Sequence, residues 1–140
     1  MVGGKKLWQA MFIRSQNYGM VLMPTDPSKI IEIAYTPEFK RSLRKLARKY
    51  RNIQSDLKPV IAQLQAGDLT GDQVIATGNT LFKARVRNSD IQKGKRSGYR
   101  LIYWLKTSRN IILITIYSKL DQGDISAKDV RRIIRQSQDL

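Results

Sequence analysis

Residues 81–119, LFKARVRNSDIQKGKRSGYRLIYWLKTSRNIILITIYSK, read as three consecutive strands, and this reading decides the fold. In LFKARVR (Leu81–Arg87), period-two alternation sends Lys83, Arg85 and Arg87 to one side of a sheet and Phe82, Ala84 and Val86 to the other. In GYRLIYWLK (Gly98–Lys106), Arg100, Ile102, Trp104 and Lys106 alternate with Tyr99, Leu101, Tyr103 and Leu105, so Arg100 faces the same way as Lys83. In IILITIYSK (Ile111–Lys119), the same period groups Ile112, Ile114 and Ile116 against Thr115, Tyr117 and Lys119. If the isoleucines share a core with Phe82 and Val86, then Tyr117 and Lys119 join the cations. An undiluted row of like charges on one sheet face destabilises a fold, and a polyanionic partner is the physical reason to keep one.

The composition agrees. The chain has 140 residues, 26 Lys+Arg against 11 Asp+Glu, a formal charge of +15, and 41% hydrophobic residues. This suits one soluble domain with a true core, and the charge points to nucleic acid, an anionic membrane surface or an acidic protein. Without cysteine there are no disulfides or thiolate metal sites; without histidine there is no imidazole acid-base pair and no usual zinc ligand set. No metal and no cofactor is expected. Lys, Arg, Tyr and carboxylates remain for chemistry. No apolar run approaches the roughly 18 residues of a membrane span, and no signal-peptide core forms after Lys5 and Lys6, so a cytoplasmic protein without membrane contact is expected.

Outward from the central stretch, residues 1–29 carry no sustained period and end in the breaker-rich MPTDPSK; they read as a flexible, dispensable tail, with Met20 and Met23 offering later starts. The domain is expected over 30–137. IIEIAY is a first strand, and Thr36-Pro37-Glu38 starts a helix with a capping hydroxyl, a proline at the first helical position and an acid near the positive end of the dipole. Phe39, Leu43, Leu46 and Tyr50 form its core stripe. Its other faces carry Lys40, Arg41, Arg44, Lys45, Arg48, Lys49 and Arg51; they form either a solvated face or a contact surface for polyanions, with Arg44 and Arg48 the RNA-binding candidates. A second helix is expected from Ser55 or Asp56, with Pro59 in or just after its first turn, a stripe of Leu57, Ile61 and Leu64, and Gly67 as its stop. A brief strand at Val74-Ile75 leads to the central stretch. The linker at Lys93, Lys95 and Arg96 is expected to be a mobile basic lip. Ser126 with Asp129 resembles a capping box before a last helix carrying Val130, Ile133 and Ile134. The expected class is α+β: a small antiparallel sheet with helices packed on one face and a C-terminal helix, the other sheet face open.

This order, with YTPEFKRSLRKLARKY, GDQVIATGNTLFKARV, GYRLIYWL and LITIYSK, resembles the RelE/HigB family of bacterial toxins over about residues 30–137. The resemblance implies a RelE/ParE-like fold and a compact endoribonuclease of a type II toxin-antitoxin system that cleaves messenger RNA in the ribosomal A site and is neutralised by a cognate antitoxin. It places functional residues at Lys83, Arg85 and Arg100. Where the family has an arginine after the lysine that ends the last strand, this chain has Leu120, and a further functional tyrosine aligns with Ser126; Tyr117 and Lys119 are the candidates to substitute. Attack of a ribose 2′-hydroxyl on its phosphate needs no metal, only a base, cations for the developing charge and an acid for the leaving 5′-oxygen. Lys83, crowded by Arg85, Arg87 and Arg100, is the candidate base, Arg100 the stabiliser of the phosphorane, and Tyr117 a proton donor, a stacking platform or simply a half-buried sheet aromatic. Arg87, Lys93, Lys95 and Arg96 suit phosphate positioning. The antitoxin is expected to be acidic where it meets the basic face. Two other readings remain: a ParE-like gyrase inhibitor, which shares this architecture but lacks RNA-cleaving residues, so that Lys83, Arg85 and Arg100 speak against it, and a noncatalytic RNA- or ribosome-binding module, which the composition alone fits as well.

Overall fold

The computed structural model describes residues 30–74, 78–91 and 98–137; the N-terminal tail expected over 1–29 lies outside the described residues. Along the chain come β1 (Glu32–Tyr35), α1 (Pro37–Lys49), α2 (Ile53–Gln65), β2 (Asp72–Val74), β3 (Leu81–Val86), β4 (Tyr99–Thr107), β5 (Asn110–Ser118) and α3 (Ala127–Gln136). The strands form one sheet in the order β1-β5-β4-β3-β2. β2, β3, β4 and β5 pair antiparallel, but β1 runs parallel to β5, with Glu32 opposite Asn110 and Tyr35 opposite Leu113, so the sheet is mixed rather than purely antiparallel. The parallel pair follows from the helical hairpin, which carries the chain across the sheet from one edge to the other.

α1 begins as its sequence directs. The Thr36 hydroxyl accepts from the Phe39 amide at 2.9 Å and donates to the Ile114 carbonyl at 2.6 Å. That second bond answers a β-bulge: the β4–β5 register passes from Ile102↔Thr115 to Tyr103↔Leu113, leaving Ile114 without a partner on β4. Thr36 is fully buried, and its hydroxyl gives a hydrogen bond to the carbonyl of the bulged residue. The start of α2 departs from expectation. It lies at Ile53, two residues before Ser55, and Pro59 falls inside the helix at an exposed position. Asn52 makes no side-chain cap; instead the Asp90 carboxylate accepts from the Asn52 backbone amide (3.0 Å) and side-chain amide (3.1 Å), and the Asp56 carboxylate accepts from the Ser89 amide at 2.9 Å.

Both sheet faces are covered, one completely and one in part. On the first, Phe39 and Leu46 of α1 and Ile53, Leu57, Ile61 and Leu64 of α2 pack on Ala84, Val86, Tyr99, Leu101, Tyr103, Ile111, Leu113 and Ile116. On the second, Val130, Ile133 and Ile134 of α3 pack on Leu81, Ile102, Ile112, Ile114 and Tyr117. The opposite face is therefore not open throughout, as a single layer of helices would leave it. The bulge also splits the isoleucines: Ile112 and Ile114 join the second core, whereas Ile116 joins the first, beside Val86. α3 starts at Ser126, whose hydroxyl accepts from the Asp129 amide at 3.1 Å. On the approach to β2, Gly71 adopts φ +99°, and a Cβ there would stand 2.8 Å from the Ala84 Cα, so only glycine lets the chain pass this close to β3.

Docking of α3 rests on three apolar side chains, so Ile133→Ala, at a position only 2% exposed, is expected to cost about 2–4 kcal/mol in urea unfolding, with the cavity adding to the lost transfer energy.

Candidate functional site

The register places the expected cations where alternation put them. Arg85 of β3 is opposite Arg100 of β4, and Arg100 is opposite Tyr117 of β5, so the three make one cross-strand row. Lys83, two residues before Arg85 and opposite Ile102, stands on the same face. Lys119 follows β5, where its amide donates to the Gly98 carbonyl at 3.0 Å and continues the pairing one step beyond the strand. All five lie on the sheet face that carries the second core, beside the part that α3 covers. Ladder and helix share that face.

Burial is uneven. Arg85 is exposed and Lys83 and Lys119 are half-buried, but Arg100 retains only 6% of its surface and Tyr117 only 4%. Arg100 sits in the central strand, and its guanidinium donates to its neighbour's carbonyl, Tyr99, at 3.3 Å. It is not a side chain that merely projects from an open face, and truncating it removes packing as well as charge. Tyr117 is at once a core aromatic and a member of the row: its ring belongs to the second core while its hydroxyl donates to the Asp124 carboxylate at 3.3 Å.

Asp124 is the residue the sequence reading missed. It lies in the turn between β5 and α3, where no alternation applies, and one oxygen, Oδ1, faces Lys119 Nζ at 3.0 Å and Lys83 Nζ at 3.6 Å as well as the Tyr117 hydroxyl. Asp72, opposite Lys83 on β2, adds a second acid in register. The row is therefore not undiluted. The hydrogen bond from Lys119, followed by the charge of Lys83, holds the Asp124 carboxyl below its ordinary 3.8. Burial pushes the Tyr117 phenol above its ordinary 10.0; a backbone hydrogen bond from Ile125 offsets part of this and the Asp124 charge adds to it. Beyond Asp124, a groove of about 240 Å³ runs between α1, β5 and α3, lined by Glu38, Ser42, Thr115, Gln122, Asp129 and Arg132 among others.

Of the remaining expected residues, those that the structure describes, Arg87, Arg44 and Arg48, make none of the contacts to Asp124. Arg87 is exposed just past the end of β3. Arg44 and Arg48 are exposed on α1, an element separate from the strands that bear the row. Lys93, Lys95 and Arg96, with the lip they were expected to form, lie outside the described residues. No group of three or more acidic side chains suited to a metal ion occurs among the described residues, and none of their helices is long and apolar enough to cross a membrane. What the cluster offers is four cations, a protonated phenol and the Asp124 carboxylate within a single patch, with Asp72 in register at its β2 edge. Such a set binds an oxyanion, stabilises charge that develops on it and moves protons.

The ion pairs carry a sign that titration can read. A carboxyl whose folded-state value lies below its unfolded one contributes stability above about 3.8, and the contribution is lost as pH falls through the lowered value. In Lys119→Met the Asp124 side-chain carbon, followed by NMR, is expected to titrate closer to 3.8 than in the parent.

A family model for the RelE toxin of the RelE / RelB toxin-antitoxin system matches residues 38–140, from the second residue of α1 through α2, β2, β3, β4, β5 and α3. The match spans most of the chain, and the mixed sheet of five strands with three helices, the last at the C-terminus, agrees with it. The chain belongs to the RelE toxin family and is a toxin of a toxin-antitoxin system, the kind of protein that has an antitoxin as its partner.

Proposed function

We propose that this toxin is a ribosome-dependent endoribonuclease, an mRNA interferase that cuts messenger RNA in the ribosomal A site by metal-independent attack of a ribose 2′-hydroxyl on the adjacent phosphate. The observation that carries the reading is the convergence of Lys83, Arg85, Arg100, Tyr117 and Lys119 on one part of one sheet face. A neutral surface requires no such gathering, and like charges in direct register are destabilising. Arg85 and Arg100 stand opposite one another in register, and guanidiniums suit the nonbridging oxygens of a phosphate and the extra charge of a phosphorane. The burial of Arg100 strengthens this, because a cation held in a low-dielectric setting interacts more strongly with charge that appears nearby. Tyr117, which keeps its proton well into the alkaline range, suits the acid that protonates the leaving 5′-oxygen. Lys83, as the free amine once it has released its own proton to solvent, is the residue assigned to take the 2′-hydroxyl proton, and Lys119 fills the cationic place that Leu120 leaves vacant.

Arg87, the exposed Arg44 and Arg48 of α1, and Lys93, Lys95 and Arg96 are assigned to phosphate contacts that place the message and the ribosome without touching reacting atoms. The same +15 surface suits a cytoplasmic antitoxin with an acidic, initially disordered segment. The toxin domain is taken as 30–137, with 1–29 an appended tail.

Primer extension on messages after expression in cells decides among the classes. New 5′ ends inside translated codons are expected; DNA damage without them would instead indicate a gyrase inhibitor, and neither effect a noncatalytic binder. On programmed ribosomes, Lys83→Met and Arg100→Lys are each expected to lower the single-turnover rate at saturation by about 10²–10³-fold. Lysine is chosen for Arg100 because alanine at a position this buried would confound chemistry with packing. Arg87→Ala is expected to weaken binding while nearly keeping that rate. Parent-like cleavage in the Lys83→Met, Arg100→Lys double variant would show that the site lies elsewhere.

A further inference from the structure

We infer that Asp124 is a positioning residue of the cleavage site, a carboxylate that bridges β3 and β5 and holds Lys83, Tyr117 and Lys119 in one arrangement. The inference rests on the nuclease reading and assigns a role to a residue which that reading does not use.

β3 and β5 are not neighbours: β4 lies between them, so their side chains stand two strand spacings, about 10 Å, apart at the backbone. Lys83 belongs to β3, Tyr117 to β5 and Lys119 to the turn after it, yet all three bring a donor within 3.6 Å of the same Asp124 oxygen. The carboxylate thus closes a span across the strand that carries Arg100. Without it, two flexible ammonium groups would stand on a face that already holds Arg85 and Arg100, and mutual repulsion would spread them into solvent. With it, both stems are drawn inward, and the Tyr117 hydroxyl is held beside them by contact with the same carboxylate oxygen.

Asp124 can bear this role because its own backbone is held. The next residue, Ile125, packs against the second core, and the one after it, Ser126, caps α3. On the other side of the turn, Asp121 is tied to α1 by Lys49 at 2.6 Å and by the Tyr50 hydroxyl at 3.2 Å. The segment from β5 to α3 is therefore pinned on both sides of Asp124. Its side chain is exposed, so it is not part of the packing that keeps the domain folded.

The test is Asp124→Asn, which keeps the shape and removes the charge, measured by single-turnover cleavage on programmed ribosomes, with binding read separately on a message whose reactive 2′-hydroxyl is replaced by hydrogen. The saturating rate is expected to fall by about 10²-fold, the scale of a misplacement near 1 Å. Binding of the uncleavable message should hold or tighten, since the patch gains one unit of positive charge. Asp124→Glu, which returns the charge one methylene further out, should recover part of the rate; it also decides the matter if the asparagine variant loses its fold by circular dichroism. A saturating rate within twofold of the parent in both variants overturns the inference alone, as does a loss confined to binding. A parent protein that cuts no message on the ribosome overturns the nuclease reading and this inference with it.

Discussion

The contact that the rest of the site depends on is the seating of α3 on half of one sheet face. Val130, Ile133 and Ile134 are each at most 3% exposed, and full burial of such side chains is worth about 1.5–3 kcal/mol apiece. Their partners Ile102 and Ile112 lie on the same strands, and the same face, as the charged row. The helix therefore ends the exposed part of that face where the apolar residues begin, and it brings the turn before it to lie over the cations. A helix packed elsewhere would leave Lys83 and Arg85 in place but would carry Asp124 away from them.

Much of this was legible in period-two alternation. β3 pairs with β4 in unbroken register from Leu81↔Trp104 to Val86↔Tyr99, and Lys83, Arg85 and Arg100 fell on the face the pattern assigned. β5 broke the rule at Ile114, because a bulge puts one extra residue into the strand and reverses the sense of alternation across it. That is why Ile116 and not Tyr117 faces α1 and α2, and why Tyr117 reached the row even though Ile112 and Ile114 share its side. A bulge is stabilised by partners far away in sequence, here the Thr36 hydroxyl 78 residues earlier, and no local pattern announces it. The early start of α2 has the same character: its cap comes from Asp90, 38 residues on. An apolar stripe on the last helix showed that the helix would pack, but a stripe carries no information about which of two sheet faces receives it.

The acid in the middle of the site escaped for a related reason. Strand alternation assigns a side chain a face; a turn has no such period, and Asp124 read only as one of several polar residues between Leu120 and Ser126. Physics nevertheless favours that location. An aspartate within β5 would sit in a strand where the residue type is disfavoured and would displace either Tyr117 or a core residue. In a turn, Asp is well tolerated, and its short side chain gives its carboxylate little freedom once the backbone is fixed. The domain thus keeps β5 free of acids and supplies the charge that gathers Lys83 and Lys119 from the turn beyond it. Four cations against Asp124 and Asp72 keep an excess of positive charge and with it an attraction for a polyanion, whereas a carboxylate for every cation would cancel it. One acid placed against two lysines and a phenol orders the donors while leaving Arg85 exposed and Arg100 beside it to meet an incoming phosphate.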